Sequence, residues 1–139
     1  MKTLEVTAAI IRQNGKILIC QRPADKNCGL LWEFPGGKTE ADETGEQCIV
    51  RECQEELGIA LYVERELTDI TYEYPDCIVH LRFYLCHVAA GVPEKKEHNA
   101  LAWITPSEID QYEFCPADKA MILELKKNGD QTMKGATER

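Results

Sequence analysis

Glu52, Glu55 and Glu56 are the residues whose type and spacing point most directly to chemistry. They fall at i, i+3 and i+4, on what reads as a helix over residues 44–58. On a wheel of about 100° per residue they occupy an arc of roughly 100°. Ile49, Val50, Cys53 and Leu57 take the roughly opposite arc as a core face. Like charges at this spacing cost roughly 0.2–0.5 kcal/mol per pair in an isolated helix. Glu55 and Glu56 also lie near the C-terminal end, where the helix dipole disfavours anions. No lysine or arginine is placed to neutralise all three, so the cluster calls for a cation. Hard oxygen donors suit magnesium, with manganese as a substitute. A solvated acidic face or a calcium-binding helix would share this pattern. The preceding Pro35-Gly36-Gly37 weighs toward a site, because glycine lets backbone approach a ligand or ion closely.

The surrounding sequence supplies the elements that must place these groups. Leu4–Ile11 and Lys16–Gln21 read as strands joined by the hairpin signal Asn14-Gly15. Pro23–Leu30 is a polar loop and Leu31–Phe34 a short apolar run. Thr44-x-x-Gln47 has the capping-box pattern, and Gly58 sits where a C′ glycine stops a helix. Leu67–Tyr74 alternates weakly, and Pro75-Asp76 reads as a turn. Ile78–Val88 is the clearest strand, with Val79, Leu81, Phe83 and Leu85 on one face and His80, Arg82 and Tyr84 on the other. Leu101–Ile104 is a short strand. Thr105-Pro106-Ser107-Glu108 opens a short helix. Ala117–Lys127 is a last helix, with Ala120, Met121, Leu123 and Leu125 as its apolar residues and Gly129 as its end. Interleaved strands and helices around one sheet give an α/β or α+β class. The expected organisation is a single domain over residues 1–129, with a polar tail over 130–139.

Composition bounds the partners. A chain of 139 residues suits one domain. A net charge of −8 disfavours a nucleic-acid polymer, which needs a basic footprint, but admits a single nucleotide when cations lie between the anions. No apolar run reaches membrane-spanning length, and the N-terminus lacks a signal-peptide layout. Seven cysteines with no C-x-x-C pair read as reduced, mostly core thiols of a cytoplasmic protein. The histidines at 80, 87 and 98 show no metal spacing.

From Gly37 the sequence runs through five residues to Glu43, then seven to Arg51-Glu52-Cys53-Gln54-Glu55-Glu56-Leu57-Gly58-Ile59. This resembles the Nudix box, G-x5-E-x7-R-E-U-x-E-E-x-G-U, where U is a bulky aliphatic residue. Only Cys53 departs, being small for a U position. Leu31-Trp32-Glu33-Phe34-Pro35-Gly36-Gly37-Lys38, Tyr72–Asp76 and Pro116-Ala117-Asp118 are similar to MutT-type members. Lys96–His98 through Trp103 is similar to the bacterial CTP pyrophosphohydrolase branch. The resemblance covers nearly all of residues 3–127 and implies the Nudix fold, a mixed β-sheet sandwiched between helices.

It also implies roles. Glu52, Glu55 and Glu56 would ligate Mg2+, with the Gly36 carbonyl as a further ligand. Arg51 and Glu43 would orient those side chains; a simple surface ion pair is the plainer reading of Arg51. Glu97 matches a glutamate outside the box, near the metal and the attacking water, although alone it would pass for loop decoration. Whether Glu52 or Glu97 takes the proton stays open. The implied reaction is magnesium-dependent attack of water at the β-phosphorus of a nucleoside triphosphate, releasing nucleoside monophosphate and pyrophosphate.

Arg22, Phe34 and Asp118 are the substrate-binding candidates. Arg22 matches a phosphate- or sugar-contacting arginine, or is a surface residue. Phe34 offers an aromatic surface, or is core. Asp118 falls where MutT has a base-contacting asparagine, or caps the last helix. An ionised aspartate only accepts hydrogen bonds, which suits the N4 amino group of cytosine but does not exclude the N–H groups of guanine. The expected substrates are therefore CTP, dCTP or a 5-substituted dCTP. An 8-oxo-dGTP pyrophosphohydrolase is the nearest alternative, and hydrolysis of ADP-ribose or dinucleoside polyphosphates a further one. A non-catalytic nucleotide-binding module of the same family is the alternative of another class. Monomer and homodimer are both compatible with the sequence.

Overall fold

The first strand, β1 (Thr3–Gln13), reads as a continuous apolar run because both of its faces are covered. Ala8 and Ile10 enter one core cluster, Ala9 and Ile11 the other. The computed structural model describes residues 2–132. Asn14 and Gly15, at φ 53° and 77°, make the tight hairpin to β2 (Lys16–Gln21). The further strands are β3 (Trp32–Glu33), β4 (Gly36–Lys38), β5 (Ala60–Tyr74), β6 (Cys77–Ala90) and β7 (Ala100–Ile104). β1 pairs in parallel with β6, from Thr3 opposite Ile78 to Ile11 opposite Cys86. All the other strand pairs are antiparallel, in the order β3-β2-β1-β6-β5, with β4 joined to β1 and β7 to β2.

Helix α1 (Gly45–Leu57) covers one face of this mixed sheet. A 3-10 turn over Pro106–Gln111, another over Pro116–Asp118, and α2 (Lys119–Thr132) cover the other. The expected α+β sandwich is thus observed. Both ends of α1 follow from sequence: Thr44 and Gln47 complete the capping box, and Gly58, at φ 70°, donates its N–H to the Gln54 carbonyl at 3.0 Å.

Several expectations need correction. Val50 is 38% exposed, whereas Cys48 is buried. Glu56 lies seven residues, about two turns, after Ile49, so it shares the core side instead of opposing it. Gly36 and Gly37, beyond the apolar run that ends at Phe34, lie in a strand: Gly36 stands opposite Ala8, and Gly37 opposite Thr7. β5 begins at Ala60, far ahead of Leu67, and register shifts interrupt its pairing with β6. Those irregularities blur its alternation. Tyr84 is buried beneath α1, because β6 has a core on both faces there. The helix opened by Thr105 is a 3-10 turn. In α2, Ala120 and Leu123 are exposed while Ile122 is buried, since the helix starts after a 3-10 turn rather than at Ala117. Gly129 does not end α2, which continues to Thr132; of the expected tail, residues 133–139 lie outside the described residues. No helix among the described residues is long and apolar enough to cross a membrane, and all seven cysteines are free.

His80 ties three adjacent strands together. Its Nδ1 lies 2.7 Å from Glu5 Oε1 on β1, and its Nε2 2.6 Å from Asp69 Oδ2 on β5. Hydrogen bonds to Asp69 and then Glu5 raise the imidazole's pKa above its ordinary value, 6.5. The proton is therefore held more tightly in the folded chain. The clamp's contribution is complete below about pH 6.5 and is lost as pH rises through the raised value. His80→Gln should lower the melting temperature at pH 5.5 and have a much smaller effect at pH 9, as measured by circular dichroism; equal shifts would rule the clamp out.

Candidate active site

Arg51 organises the carboxylates at the base of α1. Its Nε and Nη2 donate to the two Glu43 oxygens at 2.7 and 3.1 Å. Nη1 donates to Glu52 Oε2 at 2.9 Å and Glu55 Oε1 at 3.1 Å, and Nη2 also reaches the Lys38 carbonyl at 3.0 Å. A guanidinium used at every edge is a positioning device, more than the simple surface pair that the sequence left open. Hydrogen bonding to Arg51 holds the Glu43 carboxyl at about 2, so this pair remains ionic from neutral pH far into the acid range. The same contacts raise the Arg51 pKa.

Glycine decides where Glu52 sits. A Cβ on Gly37 would lie 2.5 Å from Glu52 Oε1 and 2.7 Å from Oε2. The carboxylate therefore occupies the space that any other residue on β4 would fill. A Cβ on Gly36 would lie 2.8 Å from the Thr7 carbonyl carbon and 2.9 Å from Ala8 Cα, against backbone that cannot swing away. Gly36 thus lets β4 close on β1, and Gly37 lets α1 close on β4.

Glu56 is the buried member, with 7% exposure. Its Oε1 has no hydrogen-bond partner. Burial, then Glu52, Glu33 and Glu97, push its carboxyl far above the usual carboxylate range. A buried acid among acids with an orphaned oxygen is costly unless a cation joins it. The donor set, the orphan oxygen and the glycine cradle all fit a hard divalent metal. Among the described residues, no three acidic, histidine or cysteine side chains form a ready-made metal site. Arg51 accounts for this: it draws Glu52 and Glu55 toward itself, and Glu55 remains largely exposed.

Glu56 opens onto a cavity of about 760 Å3, within the range of small-molecule sites, roughly 300–1,000 Å3. Arg22, Phe34, Gly36, Gly37, Glu97 and Asp118 also line it. These sequence candidates come from separate segments of the chain. Glu52, Arg51, Glu43 and Glu55 lie outside the cavity wall, linked to one another through the Arg51 guanidinium. Phe34 is both core and wall: it is buried against Phe83 and Phe114 and still lines the cavity.

Asp118 is buried, in the last residue of a 3-10 turn. Burial and the Glu33 charge raise its pKa well above the ordinary value, against the opposing effects of the Phe34 backbone hydrogen bond and Arg22. Burial thus favours the neutral acid, which both donates and accepts, over the ionised form, which only accepts.

Two functional candidates escaped the sequence reading. Glu33, on β3, accepts from Arg22 Nη1 at 3.1 Å and lies 3.2 Å from His98 Nε2. His98 is buried beside Glu56 as well, at 3.7 Å. Glu33 lies inside the resembling Leu31–Lys38 stretch, which offered the one signal. His98 likewise lies inside the resembling Lys96–Trp103 stretch, but its partners lie far away in the chain, on α1 and β3, and nothing local marked its role.

The model of the NUDIX domain matches residues 6–124. The chain belongs to the Nudix family. It is a Nudix hydrolase of the MutT type, acting on phosphoric anhydride bonds, and the family's use of a divalent metal fits the donor set described above. It is 45% identical over 122 residues to the CTP pyrophosphohydrolase of Escherichia coli, covering 88% of this chain and 90% of that one. It is 38% identical over 128 residues to the 8-oxo-dGTP diphosphatase of the same organism, covering 91% and 99%. The solution structure of the E. coli ORF135 protein superposes with a TM-score of 0.77 at 43% identity, over 91% of this chain and 92% of that one. The MutT protein of Methanosarcina mazei, at 24% identity, shares the fold with a TM-score of 0.79, over 94% and 96%.

The cradle around Glu52 gives a direct test of this Nudix hydrolase's site. Gly37→Ala should displace the carboxylate and reduce metal-dependent turnover by about 10- to 100-fold. Far-UV circular dichroism should be unchanged, because Gly37 has β-strand backbone. Wild-type turnover in the variant would show that the close approach is unnecessary.

Proposed function

We propose that this Nudix hydrolase is a magnesium-dependent nucleoside triphosphate pyrophosphohydrolase that releases nucleoside monophosphate and pyrophosphate and prefers CTP, dCTP or a 5-substituted dCTP. The observation carrying this reading is the pair of buried acids lining one cavity, Glu56 from α1 and Asp118 from the second 3-10 turn. A polyphosphate held through a metal at Glu56 would share that cavity with a base read by Asp118.

Glu52, Glu55 and Glu56, with the Gly36 carbonyl, would hold the Mg2+, for which Mn2+ would substitute. Bound there, the metal supplies charge neutralisation for the phosphates and activation of the attacking water. Arg51 and Glu43 orient Glu52 and Glu55. Glu52 or Glu97 accepts the proton lost by the water. Arg22 would contact phosphate or sugar, a reading supported by its place in the cavity lining 3.1 Å from Glu33.

Asp118 supports the cytosine preference more specifically in its neutral form. Its O–H donates to the cytosine N3 acceptor while its carbonyl oxygen accepts from N4–H. The corresponding edge of guanine presents two N–H donors, which an ionised carboxylate would match better. The 45% identity to a CTP pyrophosphohydrolase points the same way. Similarity to 8-oxo-dGTP diphosphatases keeps that substrate as the second reading. The complete set of box glutamates weighs against a non-catalytic module. The acidic charge and the cavity favour a free nucleotide over a nucleic-acid polymer, for a monomer or a homodimer alike.

Glu52→Gln and Glu55→Gln should each reduce Mg2+-dependent pyrophosphate release by more than about 100-fold, beyond the effect of outer-shell changes, with unchanged melting. Wild-type rates in either would refute the assignment. Across a nucleotide panel, kcat/KM should be highest for cytosine nucleotides; a clear preference for 8-oxo-dGTP would establish the second reading.

A further inference from the structure

His98 lines the cavity beside both Glu56 and Glu33, and its hydrogen bonding is unusually constrained. The ring is buried, and Nδ1 has no partner. Nε2 faces two carboxylates: Glu33 Oε2 at 3.2 Å, within hydrogen-bond reach, and Glu56 Oε1 at 3.7 Å, beyond it. A buried N–H without an acceptor costs more than a bare lone pair, which assigns the ring proton to Nε2. One hydrogen therefore serves two competing acceptors, and Glu33 takes it. The other Glu33 oxygen is held by Arg22. Glu33 is thus fixed at both oxygens, from two distant segments, while each oxygen keeps a lone pair for a ligand.

The backbone around His98 is secured to match. Upstream, the Glu94 N–H donates to the Leu57 carbonyl at the end of α1, at 2.9 Å. Downstream, the Asn99 N–H donates to the Gln21 carbonyl at 2.9 Å, and its side chain to Gln21 Oε1 at 2.6 Å.

We infer that His98 is a positioning residue that aims Glu33 at the nucleotide. The inference rests on the proposed function, since it needs a nucleotide in the cavity.

The test combines steady-state kinetics, with the triphosphate turned over fastest in the panel, and calorimetric Mg2+ binding to the nucleotide-free protein. The variants are His98→Ala, His98→Gln, Glu33→Gln and the double variant H98A/E33Q. H98A should raise KM by about tenfold, the scale of a lost hydrogen bond to a charged group, with a smaller change in kcat. H98Q, which keeps an N–H donor, should recover most of the loss. Because His98 acts through Glu33, H98A/E33Q should be no worse than E33Q alone. Mg2+ affinity of folded H98A should stay within about twofold of wild type, since no metal ligand is removed. Additive KM penalties, no rescue by H98Q, or a loss of Mg2+ affinity matching the rise in KM would overturn the inference while leaving the hydrolase reading intact. Absence of Mg2+-dependent triphosphate hydrolysis in the wild type would overturn both.

Discussion

The structure around the site depends on gathering several carboxylates without letting them repel one another apart. Arg51 meets this constraint on one side of α1, where its guanidinium touches Glu43, Glu52, Glu55 and the Lys38 carbonyl at once. Exposed ion pairs contribute about 0–1 kcal/mol each, and this arginine is partly exposed. Its value is therefore chiefly geometric. One planar group fixes the loop before α1, the helix itself and the end of β4. Glu56 lies beyond its reach, on the buried side of the helix.

Close approach makes this arrangement possible. β4 runs against β1 with no room for a Cβ at Gly36, and α1 lies over β4 with the Glu52 carboxylate where a Gly37 side chain would be. The capping box starts α1 and the left-handed Gly58 stops it, which sets the height of each glutamate relative to the strand. The parallel pairing of β1 with β6 then places the cavity beside this contact, with Val79 and Leu81 contributing to its wall. The site is thus shaped by backbone packing more than by any single strong interaction.

Much of this was legible because it is local. Caps, the Asn14-Gly15 hairpin and the box spacing are encoded within a few residues of where they act. The family resemblance supplied Asp118 and Glu97, which spacing alone would have left as a cap and loop decoration. What remained hidden depends on distant partners. Val50 is apolar and still faces solvent, while Cys48 is covered because Thr7 and the Gly37 carbonyl lie above it. The shift of Ile122 into the core reflects the 3-10 turn that precedes α2. Burial, with the Glu33 charge, raises the Asp118 pKa above that of a free aspartate, and no sequence pattern records burial at that position. His98 is the clearest case: its neighbours Glu33 and Glu56 come from a strand and a helix that only the fold brings together.

The segment between β6 and β7 is anchored at Glu94 and again at Asn99. Between those anchors it works as a span of fixed length, carrying Glu97 and His98 at set distances from each end. An added or deleted residue inside it cannot be absorbed without pulling one of them from the cavity. Just upstream, Val92 is largely exposed, and a change of length there would be taken up in solvent. Tolerance to insertion should therefore switch abruptly within a few residues of chain, a boundary set by two backbone hydrogen bonds.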